Sequence, residues 1–227
     1  GHSLLVSDHG QQVSEESVSD PLARISELQS DFRVPKLEEL PLFSGGLVGY
    51  FGYETVQLIE SKLSNGEKKD ELGTADIELL LSEEIAVLDN LEGRLWLIVH
   101  ADPGQPEAYE QAQQRLDELE NRLRLAGTGY GLRVQGEAIS EQDFSYGFER
   151  EDFVAAVEKS KEYILAGDIF QVVLSQRMSV PYMARPQDVY RSLSALNPSP
   201  YMYFIDLGET QIVGSSPEVL VRVQNRR

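Results

Sequence analysis

The sequence predicts an α+β fold in which largely antiparallel sheets are combined with packed helices. One observation is a run of short apolar segments with the length and composition of strands, namely Ile77–Leu81, Ile85–Leu88 and Leu95–Val99. The link Asp89–Gly93 is short enough to join the last two as an antiparallel hairpin. Other stretches repeat apolar residues at the spacing of amphipathic helices, so both types of element are expected.

Composition narrows the function classes. The 227 residues include 20 Lys and Arg against 38 Asp and Glu, a net charge of −18. A chain this negative repels phosphate backbones and anionic lipid, so neither a nucleic-acid nor a membrane partner is expected. The absence of cysteine excludes disulfides, thiolate zinc sites and a cysteine nucleophile. No apolar run approaches the ~18 residues of a membrane span and no signal-peptide pattern occurs, so we expect a cytoplasmic protein.

Caps and apolar spacing predict the first three helices. Asp20 can cap a helix whose first residue is Pro21. A long amphipathic helix is expected to open at Pro106, with one apolar stripe of Ala108, Ala112, Leu116, Leu119 and Leu123. A third helix carries Phe153 on its apolar side and ends at Gly167, where a glycine cap belongs.

Four glycines are interleaved with aromatic residues in the segment 45–53. Glycine weakens a strand unless a neighbour must approach closely, so we interpret the segment as a tightly packed strand. A phosphate-binding loop is the alternative. The lysine and the Ser or Thr of such a loop are missing, however, and Glu54 would repel phosphate.

A compositional shift suggests a domain boundary. Residues 127–147 are rich in Gly, Ser, Gln and Glu and lack periodic apolar positions. We therefore predict a region 1–126, a linker 127–147 and a second region 148–227.

The segment 167–177 is predicted to be a strand. Alternation places Phe170, Val172 and Leu174 on a core face. Gln171 lies on the opposite face, which could border a polar pocket or simply meet solvent, and the spacing alone leaves both readings open.

Two prolines stiffen the turn Asn197-Pro198-Ser199-Pro200, which follows a predicted helix Pro186–Leu196. The turn leads into an aromatic strand, Tyr201–Ile205, and further strands are expected at Gln211–Gly214 and Val219–Val223. Such a rigid turn could present backbone groups to a small ligand at low ordering cost, or it could be a plain connection.

Three long segments, correctly ordered and spaced, resemble the large subunits of anthranilate synthases, in the chorismate-utilising enzyme family. The resemblance covers nearly the whole chain. The segments are GGLVGYFGYETVQLIE at 45–60, YILAGDIFQVVLSQRMSV at 163–180 and NPSPYMYFIDLGETQIVGSSPEVLVRV at 197–223.

The resemblance implies a reaction, a cofactor and partners. That family converts chorismate and ammonia to anthranilate and pyruvate with Mg²⁺, and a glutamine amidotransferase subunit (component II) delivers the ammonia. It implies that Gln171 lines the active site, because relatives that add water carry a lysine base at the matching position. An uncharged amide fits a nucleophile that arrives already basic.

The resemblance also implies feedback inhibition by L-tryptophan. The family motif that lines the inhibitor site matches Asn197, Ser199, Pro200, Tyr201 and Met202. The proline-stiffened backbone could meet the amino-acid head group, while the tyrosine and methionine side chains offer contacts to an indole. Core packing is the alternative for these side chains.

Two departures from the family pattern lead us to expect an incomplete, α+β anthranilate-synthase-like fragment. Residues 1–126 match an N-terminal regulatory-type region without its Leu-Leu-Glu-Ser segment, and 148–227 match the start of a truncated chorismate-binding domain. The Ile-Ala-Gly-Thr segment, the magnesium-binding glutamates and the catalytic histidine are expected outside this chain. We therefore expect no metal ligand here, no bound cofactor in the fragment and no synthase activity of the fragment alone.

Two other readings stay open. The large subunit of aminodeoxychorismate synthase aminates chorismate without releasing pyruvate and shares much of the motif set. A non-catalytic module that binds tryptophan or a glutaminase subunit would run no chemistry at all.

Overall fold

The structure is a computed structural model that describes residues 2–8, 10–35, 37–63, 70–125 and 138–224. These residues fall into two units, one drawn from Gly1–Tyr130 and Ile205–Gln211 and the other from Gly131–Phe204 and Ile212–Arg227. Of the predicted linker 127–147, residues 127–137 lie outside the described residues.

Helices and antiparallel strands both occur along the described chain, as the predicted α+β class requires. The first unit contains β1 (His2–Asp8), β2 (Gln11–Val18), α1 (Pro21–Asp31), β3 (Gly46–Phe51), β4 (Ile77–Ser82), β5 (Glu84–Asp89), β6 (Arg94–Val99) and α2 (Ala108–Leu125). The second unit contains β7 (Ser145–Tyr146), α3 (Arg150–Ala166), β8 (Met178–Ser179), α4 (Pro186–Leu196) and most of β9 (Tyr201–Asp206) and β10 (Gln211–Ser216).

Strands pair two by two throughout the described ranges. The pairs β1–β2, β3–β4, β5–β6 and β7–β8 are antiparallel, and β9 pairs with β10 across a short turn. The predicted hairpin is confirmed, because Ile85 lies opposite Ile98 and Leu88 opposite Leu95. The α2 helix contacts β6, where Ile98 is buried, so this contact is the centre of the first unit's core.

The glycine-rich segment forms β3 and packs tightly, as predicted. Gly49 lies opposite Leu79 in β4, and a Cβ on Gly49 would overlap the backbone carbonyl of Glu78. Any other residue would therefore have to push β4 away from β3, which explains the glycine at this position.

Two of the predicted helix ends are confirmed and one is shifted. The Asp20 carboxylate accepts a hydrogen bond from the Ala23 N–H at 3.0 Å and caps α1. Gly167 has a φ of 83° and ends α3 in the left-handed conformation. The α2 helix begins at Ala108 rather than at Pro106, because Glu107 has a φ of 58° and lies outside the helical region.

Two predicted strands are wrong. The predicted strand 167–177 is irregular chain after the end of α3, and Phe170, expected in a core, is 92% exposed. Val219–Val223 also forms no strand, and Leu220 is fully exposed. A strand needs successive backbone hydrogen bonds to a neighbour. The Arg177 carbonyl accepts one bond, from the Gly147 N–H at 2.8 Å beside the β7–β8 pair, but within the described ranges neither segment belongs to a sheet.

Candidate functional site

The proline-containing turn 197–200 connects α4 to β9. The Asn197 N–H donates to the Leu193 carbonyl at 2.8 Å and closes the last turn of α4. Pro198 and Pro200 carry no N–H and fix their own φ angles, so the helix cannot continue. The turn is therefore rigid, and its backbone offers more acceptors than donors.

Two serine hydroxyls hold this turn against the end of β10. The Ser215 hydroxyl donates to the Asn197 carbonyl at 2.9 Å, and the Ser199 hydroxyl donates to the Ser216 carbonyl. We call this reciprocal pair of bonds the serine clamp. Ser199 Oγ also accepts from the Tyr201 N–H at 3.5 Å, so this hydroxyl is used inside the turn.

Consecutive residues of β9 send their side chains to opposite faces. Met202 shares a face with Phe204, whose ring centroid lies 6.3 Å from that of Tyr190 in α4. Tyr201 shares the other face with Tyr203, and both rings are partly exposed. A ligand in contact with the Tyr201 ring would therefore meet the backbone of Met202 and not its side chain.

Gly214 makes room for the second tyrosine of that face. A Cβ on Gly214 would overlap the ring of Tyr203, so the ring lies across the backbone of β10. Tyr201 and Tyr203 thus form an aromatic surface next to the turn, and Gly214 lies beneath it.

Gln171 lies on a different segment from the turn residues. It is exposed, in the irregular stretch that the sequence predicted as a strand. Five residues later, Gln176 anchors this stretch: its Nε2 donates to the Phe148 carbonyl at 2.9 Å and its Oε1 accepts from the Phe148 N–H at 3.0 Å. The side-chain amide of Gln176 therefore adds one rung to the β7–β8 pairing.

An ion pair between a half-exposed arginine and a buried aspartate fixes the start of α4. Arg185 donates to Asp188 through Nε at 2.8 Å and through Nη2 at 3.0 Å. The Asp188 side chain is 8% exposed, and its hydrogen bonds from the Arg185 guanidinium hold the pKa of the carboxyl below its usual range. The paired carboxylate keeps the first turn of α4 in place, and through it the helix that leads to the turn.

The described residues do not supply a metal centre. Among them, no three His, Asp or Glu side chains converge as ligands. His100 Nε2 lies 2.6 Å from the Ser44 carbonyl oxygen, and the backbone N–H of His100 donates to the Glu83 carbonyl at 2.9 Å. The imidazole thus holds the start of β3 in place. The residues described here do not fit the Mg²⁺ ion that the resemblance implies, so no chemical step is assigned to one.

None of the helices described is both long enough and apolar enough to cross a bilayer.

Comparison with known proteins decides the family. The family model described as chorismate binding enzyme matches residues 4–227. The chain belongs to this family. The match extends over both units of the structure, so family membership does not rest on an isolated motif.

Individual relatives have consistent names. The chain is 46% identical over 225 residues to anthranilate synthase component 1 of Pseudomonas aeruginosa, a match that covers 99% of this chain and 46% of the relative. It is 47% identical over 217 residues to the protein of that name from Neisseria gonorrhoeae, covering 93% and 43%. The chain therefore spans less than half the length of these curated relatives.

A solved structure supports the fold. The crystal structure of anthranilate synthase component I from Streptococcus pneumoniae TIGR4 aligns with a TM-score of 0.76 at 30% identity. The alignment covers 97% of this chain and 49% of that chain. The α+β class predicted from the sequence is therefore confirmed.

Sequence reasoning identified the turn with its residue Ser199, but it missed Ser215, which also holds the turn, and Gln176, which holds the segment of Gln171. Ser215 and Gln176 act through hydrogen bonds to backbone groups 18 and 28 residues away. No spacing rule indicates such contacts. The opposite faces of Tyr201 and Met202, in contrast, follow from strand alternation and could have been predicted.

Proposed function

We propose that the chain is part of the large subunit of an anthranilate synthase. The reaction consumes chorismate and ammonia and yields anthranilate, pyruvate and water. The observation that carries the proposal is the 46% identity to an anthranilate synthase component 1 across 225 residues. Because the chain corresponds to 46% of that relative, the activity is proposed for the whole protein.

Gln171 is proposed to line the active site. A neutral amide donates and accepts hydrogen bonds but is too weakly basic to remove a proton from water. Ammonia needs no such base, since it carries its own lone pair. An amide at this position therefore fits amination better than hydration, in line with the lysine that water-adding relatives carry there.

A partner subunit and the location of the enzyme complete the proposal. The designation component 1 in the relatives' names supports an assembly with a second component, proposed to be a glutamine amidotransferase that supplies the ammonia. We propose Mg²⁺ as the cofactor of the whole enzyme. A cytoplasmic location is proposed, as is usual for a biosynthetic enzyme of small metabolites.

The turn 197–200 with the start of β9 is proposed as the site of inhibition by L-tryptophan. The backbone carbonyl of Pro200, an exposed residue, and the Met202 backbone can meet the charged head group, while the Tyr201 ring offers an apolar face to the indole. Asn197 and Ser199 support this site through the bonds of the turn. All five residues of the proposed site thereby have a part in it.

Product analysis of the full-length protein tests the proposal. Incubation with chorismate, Mg²⁺ and ammonium should give anthranilate fluorescence and one pyruvate per anthranilate. The 227-residue chain alone is the control and should give no product. Accumulation of 4-amino-4-deoxychorismate without pyruvate would assign the protein to aminodeoxychorismate synthases. Tryptophan binding without chorismate turnover would favour a non-catalytic module.

A further inference from the structure

The serine clamp compensates for a shortage of backbone donors in the turn. Pro198 and Pro200 have no N–H, so the turn cannot be held by the donors that ordinary turns use. The clamp instead uses a carbonyl of the turn, that of Asn197, and a side-chain donor, that of Ser199. The two bonds run in opposite directions between the same two segments, which fixes both their separation and their register.

The clamp continues beyond β10. The hydroxyl of Ser216 donates to the carbonyl of Glu218 at 2.8 Å. The Ser216 carbonyl accepts the hydrogen bond from the Ser199 hydroxyl. A line of hydrogen bonds thus runs from the turn through the end of β10 into the Ser216-Pro217-Glu218 segment.

We propose that Ser199 and Ser215 are positioning residues that join the turn 197–200 to the segment Ser216–Glu218 in one rigid body, so that a ligand on the turn also fixes that segment. For the identity of the ligand, L-tryptophan, the inference rests on the proposed function. The mechanical link between the two segments does not depend on which ligand binds.

The clamp is expected to act on positioning more than on folding. Its groups are half-buried or exposed, so water can replace a lost partner and the fold should persist. Without the clamp, however, the turn would spend only part of its time in the conformation that binds the ligand. Apparent affinity falls in proportion to that fraction.

Exchange of backbone amide hydrogens tests the link without any ligand. In the full-length protein, Ser215→Thr keeps the hydroxyl and Ser215→Val replaces it with a methyl group of similar shape, so both remain suited to a strand. We expect Ser215→Val to speed exchange about tenfold in peptides that cover 197–204 and 214–220, with Ser215→Thr close to the unsubstituted protein. Equal exchange in both variants, or a change in only one of the two peptides, would overturn the inference.

Inhibition measurements test the regulatory consequence. Ser215→Val should raise the L-tryptophan concentration for half-inhibition by about tenfold, while Ser215→Thr should restore sensitivity. Ser194→Ala, which removes a hydroxyl within α4, is the matched control and should leave inhibition unchanged. If L-tryptophan does not inhibit the parent enzyme, the proposed regulation is wrong. The exchange result still decides whether the clamp joins the two segments. An inhibited enzyme whose Ser215→Val variant is equally sensitive would overturn the clamp's role in regulation.

Discussion

The ring of Tyr203 lies across Gly214 so closely that a Cβ on Gly214 would overlap its atoms. The two residues lie on the paired strands β9 and β10, and the contact brings the aromatic surface against the backbone of β10. The loss of stability caused by one added methyl group at Gly214 can therefore be predicted.

Gly214→Ala should destabilise the protein by about 1–3 kcal/mol, because the added methyl group forces the Tyr203 ring out of its place. Denaturant unfolding of the full-length protein measures the loss. The double variant Gly214→Ala/Tyr203→Ala is the control, since removal of the ring removes the clash. If the two single substitutions destabilise additively, the close packing described here is not the cause.

Tyr201 and Met202 should differ in their effect on tryptophan inhibition. Tyr201→Ala removes the ring from the proposed ligand face and should raise the half-inhibitory concentration by about tenfold or more, as expected for a lost aromatic contact. Met202→Leu keeps the backbone and alters only the side chain on the Phe204 face, so inhibition should hardly change. Equal effects from the two substitutions would mean that both side chains contact the ligand.

Gln176 should determine the order of the segment that carries Gln171. Gln176→Met has a similar shape and loses both hydrogen bonds to Phe148, so exchange of the Phe148 N–H should become about tenfold faster. Gln176→Glu keeps the acceptor and loses the donor to the Phe148 carbonyl. Its exchange rate at the Phe148 N–H should therefore lie between those of Gln176→Met and the unsubstituted protein. Unchanged exchange in Gln176→Met would show that the β7–β8 backbone pairing holds the segment by itself.

Gln171→Lys tests the proposed role of the neutral amide. A lysine would place a basic, cationic group where the amination reaction needs none, so the kcat for ammonia-dependent anthranilate formation should fall by about 100-fold. Gln171→Asn keeps the amide on a shorter chain and should retain more activity. Fluorescence assays with ammonium as the nitrogen source measure both. A fully active Gln171→Lys enzyme would remove Gln171 from the proposed site.

Acid should weaken the start of α4. The pKa of Asp188 is lower in the folded protein than the usual 3.8, because Arg185 donates hydrogen bonds to its charged form. The ion pair therefore contributes to the free energy of unfolding above pH 3.8, and the contribution is lost as the pH falls through the folded pKa. In Asp188→Asn, stability at neutral pH should be lower and should fall less steeply below pH 4 than in the parent.

Unfolding curves at several pH values compare this variant with Asp152→Asn, which changes an exposed carboxylate in the first turn of α3. The control should keep the acid sensitivity of the parent. If both variants lose it equally, the Arg185–Asp188 pair does not cause the acid dependence.

Local signals in the sequence predicted most of the elements correctly. The α4 helix has the predicted bounds Pro186–Leu196, and the β5–β6 hairpin forms across its predicted turn. Both depend on residues close together in the chain, such as a proline at the first helical position and a glycine-containing turn.

The failures have a common physical cause. The segment 167–177 has the alternation of a strand, but alternation describes which faces could be buried and not whether a neighbouring strand is present to pair with it. The same holds for Val219–Val223. The clamp residue Ser215 was missed for a related reason, since its partner Asn197 is distant in the chain and close only after folding.

His100 joins three separate parts of the first unit. Its ring contacts the Ser44 carbonyl before β3, and its backbone N–H donates to the Glu83 carbonyl between β4 and β5. The pairs β3–β4 and β5–β6 should therefore melt in a single cooperative transition, even though each hairpin closes on itself. His100→Ala removes the bond of the ring to Ser44 and leaves the backbone bond to Glu83, so this variant should let the β3–β4 pair open while the β5–β6 pair stays closed.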